Sequence, residues 1–166
     1  PYTVKEYKTL IQKIRSKFVQ IREGSEREIA ISTDVIVGFP EETEKQFENT
    51  VKLFKEIKFD MAYIAKYSPR PGTAAAKLKD DVSAKEKERR YKILTETLKK
   101  TALGKNKKFI GRTSEVLIEA EERGYLRGKT RNYKTIKFSG PKKIIGKFAK
   151  VKIIDALPWG LNGILI

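Results

Sequence analysis

The sequence predicts two architectures in series: an α/β part built on parallel strands, then a small all-β barrel of five strands. Three observations carry this. Before residue 78, amphipathic stretches with helical spacing alternate with short, near-continuous apolar runs, the element order of α/β proteins. After Gly111 the apolar period drops to two and turn residues multiply. The charge is also uneven. The formal net charge is +16, of which residues 105–166 carry +10 from 15 basic and 5 acidic side chains.

The α/β part reads element by element. Thr3 and Glu6 fit a capping box, in which each side chain satisfies an amide that the first helical turn leaves unpaired. Val4, Tyr7, Leu10 or Ile11, Ile14 and Phe18 follow at helical spacing and predict one buried stripe. The charged stretch 22–28, with Gly24-Ser25, reads as a loop. The run 29–37 is β-branched and nearly all apolar, which predicts a strand covered on both faces, ended by Gly38-Phe39-Pro40. Thr43 and Gln46 form a second capping box, with Phe47, Val51, Phe54 and Ile57 on one helical face behind it. Met61-Ala62-Tyr63-Ile64-Ala65 reads as a second buried strand, stopped by the two prolines of the 67–73 segment. Two strands cannot close a sheet, so this part is expected to belong to something larger. Ser83 and Glu86 open a third helix with Tyr91, Leu94, Leu98 and Ala102 as its stripe, fraying near Gly104 into the basic stretch 105–108. It is expected to bridge two domains.

In the last part, segments near 113–120, 124–131, 133–139, 148–155 and 161–166 alternate or are β-branched. Glu122-Arg123-Gly124, Asn132, Gly140-Pro141 and Pro158-Trp159-Gly160 separate them. Five short strands in so few residues predict a barrel, because closure removes exposed edges. Oligonucleotide-binding barrels have this size, although fold by itself is a weak warrant for function.

Composition narrows the chemistry. The chain has no Cys and no His. It therefore supplies no disulfide, no thiolate zinc site and no cysteine ligand for an iron–sulfur cluster, and no His-based triad or two-His metal site. No stretch approaches a membrane span of roughly 20 apolar residues, and PYTVKEYKTL has no apolar signal-peptide centre. The only Met is Met61, so Pro1 is not expected to be the natural start. A strongly basic segment calls for an anionic partner. Nucleic acid leads, and an acidic membrane surface ranks last because the excess falls in predicted strands rather than on an amphipathic helix. The expectation is a soluble cytoplasmic protein.

Three constellations could carry function. Ser32-Thr33-Asp34 leads into Gly38-Phe39-Pro40-Glu41-Glu42, at the carboxyl end of a parallel strand, where α/β proteins bind ligands. Asp34 stands out in an apolar run because a buried carboxylate needs a partner. It either faces a ligand or satisfies nearby amides, and Gly38 either admits a ligand or only turns the chain. Tyr67-Ser68-Pro69-Arg70-Pro71-Gly72-Thr73 ends the next strand on the same rim, with Arg70 on a stiff loop suited to an anion or simply exposed. The hairpin 125–134 places Tyr125, Arg127, Lys129 and Arg131 on one strand face, followed by Asn132, Tyr133 and Lys134. Cations for phosphate interleaved with rings for bases suit RNA.

These residues carry a family resemblance. Ser32-Thr33-Asp34-Val35-Ile36-Val37-Gly38-Phe39-Pro40, with Glu42-Thr43-Glu44 and Phe47, resembles the fifth-strand signature of radical S-adenosylmethionine methylthiotransferases. Phe59-Asp60-Met61-Ala62 and the 67–73 segment resemble the sixth strand and its loop. Gly128-Lys129-Thr130-Arg131-Asn132 and Ala156-Leu157-Pro158 resemble the C-terminal TRAM domain, an RNA-binding barrel. The likeness runs through essentially the whole chain in family order. Thr130-Arg131-Asn132 with Lys137-Phe138 is most similar to the branch acting on isopentenylated adenosine beside the tRNA anticodon. The threonylcarbamoyladenosine branch is second and the ribosomal-protein branch less similar.

The resemblance implies the last part of a parallel radical-SAM β/α barrel over 1–78, a connecting helix over 79–108 and a TRAM domain over 109–166. It implies an enzyme that cleaves S-adenosylmethionine reductively at a [4Fe–4S] cluster and, using a second cluster, adds a methylthio group to adenine C2. Thr33, Asp34, Gly38, Glu42, Tyr67, Ser68 and Arg70 would border S-adenosylmethionine. Tyr125, Arg127, Lys129, Arg131, Asn132 and Lys134 would hold the tRNA anticodon stem-loop. The cysteines of both clusters would lie in an N-terminal part of the protein outside this chain, so the chain alone is expected to be inactive and the intact protein monomeric. Glu41 stands where the family usually has Gly. The alternative is a free-standing RNA-binding module that keeps the α/β part as scaffold.

Overall fold

In the computed structural model, residues 3–21 and 29–166 are described; the loop expected over 22–28 lies outside them. The chain divides into two compact units, one of residues 31–102 and the other of 103–166 together with the N-terminal segment.

The N-terminal helix α1 spans Val4–Ile21. Its start is the expected capping box: the Thr3 amide donates to Glu6 Oε2 at 2.6 Å and the Glu6 amide to Thr3 Oγ1 at 3.2 Å. The single buried stripe is not observed. Ile11 is buried, but Val4, Leu10 and Ile14 are exposed, so the apolar positions are shared between a covered and an open face.

The α/β unit contains β1 (Ser32–Val37), α2 (Glu44–Ile57), β2 (Met61–Lys66) and most of α3 (Ala84–Asn106). The two strands are parallel, with Ser32 opposite Met61 and Val37 opposite Lys66. At the entry to the ladder, the Ile31 amide donates to Asp60 Oδ2 at 3.0 Å. Helix α2 has the complete Thr43–Gln46 capping box and ends at Lys58 in the left-handed region. Phe47, Phe54 and Ile57 are buried as the spacing predicts, and Phe54 meets Phe59 edge to face at 5.0 Å.

The expectation of strands covered on both faces is corrected. Ser32, Asp34 and Ile36, with their register partners Met61, Tyr63 and Ala65, form an exposed face. Val37 and Ala62 point the other way and are buried. The composition of a doubly covered strand is present, but the described residues leave one face open. Asp34 is consequently an exposed carboxylate, not a buried one in need of a partner.

Helix α3 does not fray at Gly104; it continues to Asn106 and tightens into a 3-10 turn at Lys107–Phe109. The buried Asn106 amide donates to Leu157 O at 2.7 Å, which fixes this helix end within the C-terminal unit.

That unit is a closed barrel of five strands: β3 (Thr113–Glu122), β4 (Tyr125–Thr130), β5 (Thr135–Phe138), β6 (Phe148–Leu157) and β7 (Gly160–Leu165). The order around it is β3-β4-β5-β7-β6, with β6 returning to β3. All neighbours are antiparallel except β5 and β7. Alternation sends Val116, Ile118, Leu126, Ile136, Val151 and Ile153 inward, each at most 1% exposed. The β3–β4 turn is Arg123-Gly124, both with positive φ, the backbone that two-residue hairpins require. Gly128 lies where β3 and β4 cross closely, and a Cβ there would run into Leu117 O and Val116 Cγ1. No helix among the described residues is long and apolar enough to cross a membrane.

Candidate nucleic-acid interface

The outward side chains of β4 form the expected row: Tyr125, Arg127 and Lys129, with Arg131 beyond, are partly or fully exposed. Leu126, Gly128 and Thr130 alternate into the interior. Two ring–cation pairs shape the surface. The Lys129 ammonium lies 4.7 Å from the Tyr133 ring centroid, and that of Lys137 lies 4.2 Å from the Tyr125 centroid. Tyr133 is 75% exposed, so its ring is open for stacking. Lys129 also donates to Thr135 Oγ1 at 2.8 Å.

The remaining predicted residues are held differently. Arg131 pairs with Glu115 through Nη2 at 2.9 Å and Nε at 3.0 Å. This pair is solvent-exposed, so it costs little to open. Arg127 Nε lies 3.2 Å from Glu122 Oε1 but outside hydrogen-bond geometry. Asn132 Oδ1 accepts from the Thr130 hydroxyl at 2.5 Å, and the Lys134 amide donates to the same hydroxyl at 2.9 Å. Asn132 thus staples the β4–β5 turn. Lys134 is buried, unlike the exposed cations before it. Sequence reasoning about the hairpin missed Lys137, which register places beside Arg127. It also missed Phe148, 62% exposed on β6. Both lie outside the hairpin, and only strand order brings them near it.

In the α/β unit, the Gly38 turn and the 67–73 loop follow the carboxyl ends of β1 and β2, and Phe39 meets Tyr67 edge to face at 5.1 Å. Gly38 has φ +68, and a Cβ on it would run into Lys87 Cγ. Its amide donates to Glu42 Oε2 at 2.6 Å, and Arg90 Nη1 donates to the same oxygen at 2.8 Å. Lys87 donates to Asp80 at 2.6 Å and reaches Tyr67 O at 3.3 Å. The Tyr67 hydroxyl donates to Ala75 O at 2.8 Å. Glu42 and the Tyr67 hydroxyl are therefore engaged in holding the rim. Thr33 is half-buried on the strand face opposite Asp34, whereas Asp34, Ser68 and Arg70 are exposed, and neither Asp34 nor Arg70 has an ion-pair partner among the described residues.

Lys87 and Arg90, 7% and 5% exposed, were legible only as part of a charged helix surface. Their spacing to Leu94 and Leu98 places them on the buried stripe, and that spacing was the available signal. Burial opposes the charge on Arg90, yet the hydrogen bonds it donates to Glu86 and Glu42 raise its pKa above the ordinary arginine value. Glu86, bonded by Arg89 and then Arg90, is lowered to about 2.

A barrel of this strand order with a basic, aromatic outer face defines a class, and residues 107–166 match the model of the TRAM domain family. The chain as a whole is homologous to part of the enzymes named tRNA-2-methylthio-N(6)-dimethylallyladenosine synthase. It is 40% identical over 99% of its length to that of Bacillus cytotoxicus, where the match covers 31% of the relative. The Geobacillus kaustophilus protein is 41% identical over 99% of the chain and 30% of the relative. That of Bacillus velezensis is 45% identical over 82% of the chain and 27% of the relative. The chain thus spans less than a third of the length of these curated relatives.

Proposed function

We propose that this chain is the RNA-holding barrel and the adjoining edge of the catalytic domain of a tRNA methylthiotransferase acting on isopentenylated adenosine beside the anticodon. The observation behind this reading is the 40% identity over 99% of the chain, which runs through both units rather than the barrel alone. The barrel would grip the anticodon stem-loop through Tyr125, Arg127, Lys129 and Arg131, in the cytoplasm, within a monomeric enzyme.

The cofactor reading divides in two. The chain has neither Cys nor His, and among the described residues no three carboxylates are grouped so as to hold a metal ion. These residues do not fit an iron–sulfur cluster, so its ligands belong to the rest of the protein and the chain alone carries out no methylthiolation. S-adenosylmethionine, the source of the radical when bound, finds a better match at the rim. Asp34 could accept from its amine or ribose hydroxyls, and Arg70 could grip its carboxylate. Gly38, Glu42, Tyr67 and Ser68 would set the shape of that rim, whereas Thr33, on the strand face opposite Asp34, would not reach the same ligand.

The test is the intact protein expressed in cells lacking the modification, with methylthiolated nucleosides measured in their tRNA by mass spectrometry. Methylthio-isopentenyladenosine should appear; its absence overturns the assignment. Arg70→Ala in that protein should raise the S-adenosylmethionine KM while tRNA affinity stays unchanged. Full activity in the variant removes Arg70 from the pocket.

A further inference from the structure

The barrel carries a second feature that the basic hairpin does not include. Register across β4, β5, β7 and β6 sets one outward residue from each strand in a row: Arg127 beside Lys137, Lys137 beside Asn162, Asn162 beside Asp155. The row runs from two cations to a carboxylate. Next to it lies a concavity of about 430 Å³, whose lining includes Tyr125, Lys137, Ile154, Asn162 and Ile164. Three of these are large apolar side chains left open: Tyr125 at 45%, Ile154 at 49% and Ile164 at 56%.

A bulge builds this wall. The β6–β7 pairing shifts between Ile153 and Asp155, so that Ile154 and Asp155 are both exposed while Ile153 and Ala156 remain in the core. A regular strand would have sent one of the two inward. Bulges re-aim side chains at the expense of local pairing, and here the result is an apolar wall beside a carboxylate. Asn162 Nδ2 donates to Asp155 Oδ2 at 3.1 Å and orients it.

The chemistry of that carboxylate selects its ligand. Residues 105–166 contain five acids; four are on β3, and Asp155 alone is elsewhere. A carboxylate only accepts hydrogen bonds and repels phosphate, so on a cationic surface it suits a ligand edge rich in N–H donors. Apolar walls suit a flat ring. We infer that this concavity holds one unpaired guanine of a bound RNA strand. The ring lies against Tyr125, Ile154 and Ile164, and its N1–H and 2-amino groups point to Asp155, which stands just outside that lining, hydrogen-bonded to the lining residue Asn162. Guanine is the base that offers two adjacent donors on its pairing edge, whereas cytosine and adenine offer one amino group each. Lys137 and Arg127, at the other end of the row, take the neighbouring phosphates.

This inference rests on the RNA-binding reading, and one experiment separates the two. The 166-residue chain is titrated with short single-stranded oligouridines bearing one central guanine, adenine, cytosine, uridine or inosine. The guanine strand should bind on the order of tenfold tighter than the adenine, cytosine or uridine strands, a discrimination typical of a good two-bond base contact. Inosine, which lacks the 2-amino group, should lose most of that preference. Asp155→Asn should erase the preference while slightly tightening binding of the all-uridine strand, since it removes a negative charge. Tyr125→Leu should weaken the guanine strand more than the uridine strand. Equal affinities in the parent chain, or a guanine preference that survives Asp155→Asn, overturn the guanine site and leave RNA binding standing. If none of the strands binds, both readings fail.

Discussion

Gly38 shows how much one residue carries. Its φ of +68 is costly for a side chain, and the space a Cβ would need is taken by Lys87 Cγ. Gly72 has φ +84 but open space around it. Gly72→Ala should therefore cost only the backbone term, about 1 kcal/mol. Gly38→Ala should cost about 2–3 kcal/mol, because the buried Lys87 must also move. Chemical denaturation of the two variants gives the comparison, and equal losses would mean that Lys87 yields freely. Glu86 supplies a pH signature. Its pKa falls from 4.5 to about 2 through hydrogen bonds from Arg89 and Arg90. A depressed carboxylate stabilises the fold above its unfolded value, and that contribution is lost as pH falls from about 4.5 through about 2. Stability of the parent chain should drop over that window more steeply than that of Glu86→Gln. Parallel curves would show that the arginines release Glu86 at no cost.

At the scale of elements, β3 and β4 regulate each other's charge. Arg131 is presented to solvent but occupied by Glu115 on the neighbouring strand. Replacing Glu115 by Gln should tighten RNA binding more than Glu119→Gln, which removes the same charge from an exposed position on the same strand. Filter binding at fixed salt would measure both, and equal gains would reduce the effect to net charge. Helix α3 has a comparable double role. Its first turns bury Lys87 and Arg90 to clamp the Gly38 turn and the Tyr67 backbone. Its last turn uses Asn106 to hold the β6–β7 turn. The capping boxes, the α2 stripe and the strand segments of the barrel were legible because each depends on neighbours within a few residues. The buried cations were not, because a helix surface rich in Lys, Arg and Glu reads as solvated until its partners are known.

For the whole molecule, charge governs the first encounter with an anionic strand. With a net +10 over residues 105–166, binding to single-stranded RNA should weaken steeply with salt. The slope should fall by roughly 0.7 for each phosphate contact removed. Lys129→Ala and Arg131→Ala should each flatten it by about that amount; unchanged slopes would take the hairpin out of the interface. The open face of the two-stranded sheet, with Ile36 at 53% and Tyr63 at 67% exposed, belongs to the same scale. Its composition anticipates a cover, and the described residues do not provide one.

By itself the sequence determined the order of elements, the change from helical to strand period near Gly111, the basic bias of the barrel and the absence of any Cys or His ligand. These are local or compositional properties, readable without knowing what touches what. Tertiary structure alone decided that Asp34 is open, that Glu42 is spent on Arg90 and Gly38, and that Lys134 is buried. It also decided that Tyr125, Lys137, Asn162 and Asp155 share one surface. Those outcomes depend on helix packing, strand order, register and a one-residue bulge, which join positions up to 48 residues apart in the chain. Side-chain alternation gives each strand its two faces, but only closure of the barrel decides which residues meet there.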